Sequence, residues 1–119
     1  MELILNRIRH GTISWVSSEA LSDEIHRNQN VDRRLENASL LALASESIEV
    51  DAFIANRAAD LQKAGYGAYD SLHLACAEAA RVDVLLTTDD GFIRRVSRQD
   101  GKPLVAVLNP LFWSKRQLR

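Results

Sequence analysis

Residues 65–92, GYGAYDSLHLACAEAARVDVLLTTDDGF, constrain the fold more than any other stretch of the chain. A Gly-Tyr-Gly turn leads into an alanine-rich segment that predicts a helix over 70–80, and Val84, Leu85 and Leu86 predict a strand within 83–88. Asp70 opens the helix and Asp89 stands where the strand runs out, so two carboxylates are presented at element ends. In an open α/β sheet, ligands bind in the crevice outside the carboxyl ends of the strands, which puts Asp89 where chemistry is expected.

The remaining segments repeat this alternation. Residues 1–10 place Ile4, Leu5 and Ile8 at helical spacing before Gly11, but no Ser, Thr, Asp or Asn precedes them as a cap. Such a helix reads as the back half of a longer one. A strand is predicted at 13–16, then a helix through Glu24 to about Asn28, capped by Ser17 or Ser18. A long helix over 32–45 follows, with Leu35, Ala38, Leu41 and Ala42 inward and Arg33, Arg34 and Glu36 outward. Residues 47–50 alternate as a strand, Asp51 caps a helix over 52–64, a short helix is predicted at 92–97, and the apolar run 104–108 reads as a buried parallel strand. Helices and strands in alternation predict a single domain over 1–119, a three-layer α/β/α sandwich on a mostly parallel sheet.

Composition narrows the function classes. No apolar run approaches the roughly 20 residues that cross a bilayer, and the first residues lack a signal-peptide pattern, so the expectation is a cytoplasmic protein with no membrane partner. The single cysteine, Cys76, sits among alanines and reads as a small buried residue, with nothing beside it in sequence to lower its pKa. Charge is distributed unevenly: residues 1–90 carry 8 basic and 15 acidic side chains, and residues 91–119 carry 7 basic against one acid. A basic segment near an acidic cluster can hold a phosphate backbone over bound metal, or can simply be a solvated tail.

Glu24, Asp70, Asp89 and Asp90 are the candidates for a shared acidic site. Carboxylates within a few ångströms repel one another unless a cation neutralises them, so such a cluster points to Mg2+ or Mn2+ and to metal-assisted phosphodiester hydrolysis. Each has a plainer role open to it. Asp70 can cap its helix, Asp89 and Asp90 can be turn residues, Glu24 can be surface, and His73, one turn after Asp70, can be a satisfied half-buried histidine.

The run DSLHLACAEAARVDVLLTTDDGF resembles the C-terminal signature of PIN-domain proteins: an acid opening a helix, a His three residues on, then a strand ending in Thr and Asp before a Phe. Upstream, WVSSEALSDEI resembles the second strand of that fold and the helix that carries its acidic residue, which places that role on Glu24, and 104–110 resembles the last strand. The resemblance implies a ribonuclease using four acidic residues and one or two Mg2+ or Mn2+ ions; many members are toxins of type II toxin–antitoxin pairs. Glu24, Asp70 and Asp89 match three of the acids as metal ligands and catalytic residues, and Asp90 is an auxiliary ligand beside Gly91, where many members carry another Asp.

The front departs from the family pattern. MELILNRIRHG resembles the end of the first helix, so the domain reads as truncated at its N-terminus, without the central first strand and its acid. In the family's order that strand lies between 13–17 and 83–88, and its loss leaves two facing strand edges unpaired. A start codon assigned too far downstream, a decayed gene, or a short form that pairs those strands directly or dimerises would each account for it. Activity is expected to be weak or lost, and the partners to be RNA and an antitoxin-like protein. The alternative is a non-catalytic PIN remnant acting as an interaction module. A receiver-like signalling domain shares the layering, but its acidic pair, phospho-accepting Asp and later Lys cannot all be filled here.

Overall fold

A computed structural model describes residues 2–11 and 13–117. In chain order the elements are α1 (Glu2–Arg9), β1 (Val16–Ser18), α2 (Glu19–His26), α3 (Val31–Leu41), β2 (Glu46–Ile48), α4 (Ala52–Lys63), α5 (Ala68–Ala80), β3 (Val84–Leu86), α6 (Asp90–Ser97), β4 (Ala106–Leu108) and α7 (Pro110–Gln117). Helices and parallel strands alternate, the expected α/β class. Among the described residues, however, the strands form two separate parallel pairs, β1 with β2 and β3 with β4. The described strands therefore do not join into one sheet.

Local chemistry explains most element ends. Ser18 closes β1 and caps α2, its Oγ accepting from the Leu21 N–H at 3.1 Å. Asp51 caps α4 in the same way, through the Ile54 N–H at 2.8 Å. Beyond the β1–β2 ladder, the Ser45 N–H donates to the Trp15 carbonyl at 2.8 Å, so the strand expected at 13–16 begins its pairing there and reaches on to Ser18. Residues after 48 leave β2 early because the Val50 N–H turns to the Glu19 carboxylate at 2.8 Å. The helix α7 lies beyond the last element read from sequence. Asn109 accepts at its start from the Leu111 N–H at 2.8 Å, and Pro110 fills the first helical position, where its missing N–H costs nothing.

The core lies around α4 and α5. Leu61 and Leu74 are fully buried, the rings of Tyr66 and Phe92 meet edge to face at 5.9 Å, and Val96, Val105 and Val107 close the cluster. The inward face expected for α3 is met only in part, with Leu41 half-buried. Leu35 is 62% exposed and Ala42 is exposed, because α3 packs against α2 outside this cluster. The inward expectation for Ala38, the outward one for Glu36 and the placement of the Leu5 side chain fall outside the described residues, as does Met1.

Between α4 and α5 the chain turns at Gly65 with φ of 112°, a conformation that side-chain-bearing residues avoid. A Cβ there would also lie 2.6 Å from Arg95 Nη1. Gly65→Ala is therefore expected to cost roughly 1–3 kcal/mol in urea denaturation, with helical circular dichroism retained.

Candidate functional site

Glu24 comes from α2, Asp70 and His73 from one face of α5, and Asp89 from the loop between β3 and α6. A cleft of about 830 Å3 runs between β1 and β3, and Glu24, Asp70 and His73 all line it. His73 Nε2 lies 3.3 Å from Glu24 Oε2. The capping role open to Asp70 is not the one it takes: Gly67 occupies the N-cap of α5, and Asp70 sits in the first turn. There a carboxylate is favoured by the helix dipole.

Asp70 is the electrostatic centre of this group. Burial raises its pKa above the ordinary 3.8, the negative charges of Asp89 and Glu24 push it the same way, and His73 opposes them. Two acids distant in sequence, Glu24 and Asp89, therefore act on the Asp70 carboxyl. Because the folded chain holds the proton more tightly than the unfolded chain, stability from this group is fully present below 3.8 and is lost as pH rises through the raised folded value. Asp70→Asn should accordingly be more stable than the parent at neutral pH. That advantage should shrink as the pH falls toward 3.8, in urea denaturation followed at several pH values.

Asp89 does serve locally. Its Oδ1 caps α6 by accepting from the Phe92 N–H at 3.1 Å, while its own N–H donates to Thr87 Oγ1 at 3.1 Å. A Cβ at Gly91 would lie 3.2 Å from that capping oxygen, so the cap is better served by glycine at this position. Asp90 is exposed in the first turn of α6. The basic segment is partly neutralised: Arg98 and Arg95 stand 3.3 and 3.8 Å from Asp100, and the Arg95 guanidinium lies over the Tyr66 ring.

Sequence reasoning passed over Tyr69. Its hydroxyl donates to Asp23 Oδ2 at 2.8 Å, which is the main cause of the lowered pKa of Asp23, and its ring stacks on His73 with centroids 6.1 Å apart. The four-residue spacing of Tyr69 and His73 was the available signal, since such pairs share a helix face. Cys76 is buried, which raises its pKa and keeps it a thiol.

The donors gathered here are hard carboxylate oxygens, the type that suits Mg2+ or Mn2+, and a cation would relieve the repulsion around Asp70. The arrangement is open. Among the described residues, no three His, Cys, Asp or Glu side chains stand close enough to form a ready metal cage. No helix of the described residues is long and apolar enough to cross a membrane. A family model described as PIN domain matches residues 2–98, while no curated protein and no solved structure matches the chain.

Proposed function

The chain belongs to the PIN domain family, a nuclease-like fold, and from that premise we propose that it is a metal-dependent ribonuclease cleaving RNA phosphodiester bonds at the acidic end of the cleft. The observation that carries this reading is the position of Asp70, partly buried and under the charge of both Glu24 and Asp89. Glu24, Asp70 and the second oxygen of Asp89 would hold Mg2+ or Mn2+, with Asp90 as an auxiliary. When bound, the ion supplies a water of lowered pKa and a clamp on the phosphate oxygens. Mg2+ is commonly held by one or two carboxylates together with substrate phosphates, so an open set of acids is compatible with binding alongside RNA. His73 steadies the Glu24 carboxylate and Tyr69 steadies the His73 ring, a supporting role of the kind that tunes metal sites.

Glu24, Asp70 and Asp89 match three of the family acids, and turnover with that set should be slow. The cellular role in this reading is that of a cytoplasmic toxin of a type II pair, with an antitoxin-like protein as partner. The test is incubation with structured RNAs and Mn2+. Cleavage should require the ion, stop with chelator, and fall about 100-fold or more in the Asp70→Asn, Asp89→Asn double variant. Cleavage that persists in that variant refutes the site. The absence of a ready cage among the described residues favours a second reading, a non-catalytic PIN remnant that binds a protein partner. Co-purification of a small partner protein without metal-dependent cleavage would support it.

A further inference from the structure

Three arginines stand on α6 or at its end, and the fold engages two of them. Arg95 lies over the Tyr66 ring, within 3.8 Å of Asp100, and its guanidinium takes the space that a side chain at Gly65 would need. Arg98 stands 3.3 Å from Asp100, which is the one acid after residue 90. Arg94 is exposed, and among the described residues its side chain makes no ion pair and no hydrogen bond. Asp90 precedes it by four residues on the same helix face, about 6 Å away along the axis, a spacing at which opposite charges attract. No ion pair joins the two. Nor is Arg94 among the charges that act on Asp70, which are those of Asp89, His73 and Glu24. It stands back from the acids, beside the candidate ion site and not in it.

We propose, resting on the ribonuclease reading above, that Arg94 holds a phosphate of the bound RNA, the one next to the phosphate that is cleaved. Residues 1–90 carry 15 acidic side chains against 8 basic ones, so the face around Glu24, Asp70 and Asp89 repels a polyanion until a cation is bound. A divalent ion answers that repulsion at one phosphate only. The neighbouring phosphate needs a positive partner of its own, and the planar fork of a guanidinium suits two phosphate oxygens at once. Arg94 gives up no ion pair to make this contact, whereas Arg95 and Arg98 would have to leave Asp100. Contacts to phosphate fix where a strand lies and carry no sequence information. Arg94 therefore sets the register of the RNA backbone over the acids and leaves the choice of base to other groups.

The probe is a short fluorescein-labelled oligouridylate, followed by fluorescence anisotropy over a salt series with Ca2+ in place of Mn2+, so that binding is read apart from cleavage. Arg94→Gln should bind at least about fivefold more weakly, and the slope of log affinity against log salt should fall by about 0.7, the loss of one phosphate contact to a single strand. Arg94→Lys keeps the charge and should retain the slope. Arg98→Gln, whose arginine is already paired, should stay within about twofold of the parent. Mn2+ affinity and melting temperature should be the same in Arg94→Gln as in the parent, and in RNA cleavage with Mn2+ the variant should raise KM and leave kcat in place. A parent that binds RNA with this dependence on Arg94 but cleaves none keeps the phosphate contact and removes the hydrolysis. Equal RNA affinity and equal salt slope in parent and Arg94→Gln would overturn the proposal while leaving metal-dependent cleavage by the parent intact. A fall in Mn2+ affinity in Arg94→Gln would also overturn it, by making Arg94 a support of the ion site, and a parent that binds no RNA would overturn both readings.

Discussion

Arg57→Ala is expected to destabilise the protein by about 3–5 kcal/mol, the loss seen when one partner of a buried ion pair is removed. Arg57 Nε and Nη2 donate to the two carboxylate oxygens of Glu78 at 2.8 and 3.2 Å, and the Glu78 side chain is only 7% exposed. The hydrogen bond to Glu78 is also the main cause of the raised pKa of Arg57. The pair ties three segments together. Arg57 Nη2 donates to the Gly101 and Lys102 carbonyls, and Glu78 Oε2 accepts from the Leu104 N–H at 2.8 Å. Without Arg57, a carboxylate remains buried with one backbone donor for company. Replacing both residues together, as Arg57→Met with Glu78→Leu, should cost far less, because the uncompensated charge is then gone. Urea denaturation of the single and double variants checks this. A loss below about 1 kcal/mol for Arg57→Ala would place the pair with ordinary surface bridges.

Leu74→Ala is the second large effect, at about 3–5 kcal/mol. Leu74 is fully buried in the central cluster, four residues after Asp70 on α5. Truncation leaves a cavity beneath the helix that presents both Asp70 and His73 to the cleft. Leu35→Ala is the internal comparison: at 62% exposed it should stay within about 0.5 kcal/mol of the parent. The same denaturation measurement reads both variants, and a Leu74→Ala loss as small as that of Leu35→Ala would contradict the assigned core.

Much of this architecture was legible because the relevant signals are local. Ser18 and Asp51 announced helix starts by their side-chain oxygens, and the apolar run after the α5 helix announced β3. The reading of α3 failed at Leu35 for a nonlocal reason. Its apolar period describes a face, but only the packing of α3 against α2, outside the central cluster, decides that Leu35 stays exposed. Pairing is equally nonlocal, and no single segment says that β1 and β3 stand apart with a cleft between them. At the site, the acids were visible as residue types, while their convergence on Asp70 depends on how α2, α5 and the end of β3 meet. The dual use of Asp89, as helix cap and as charge beside Asp70, follows from the turn that the cap itself makes. The Tyr69–Asp23 bond joins residues 46 apart in sequence, beyond the reach of any spacing rule.

The functional account rests on shared possession of one divalent ion by carboxylates from separate elements. Calorimetric titration of Mn2+ into the parent protein and into Asp70→Asn tests that sharing directly. The account predicts saturable binding by the parent and an affinity at least about tenfold lower in the variant, although the variant is the more stable protein at neutral pH. Equal Mn2+ affinity in the two proteins would contradict it.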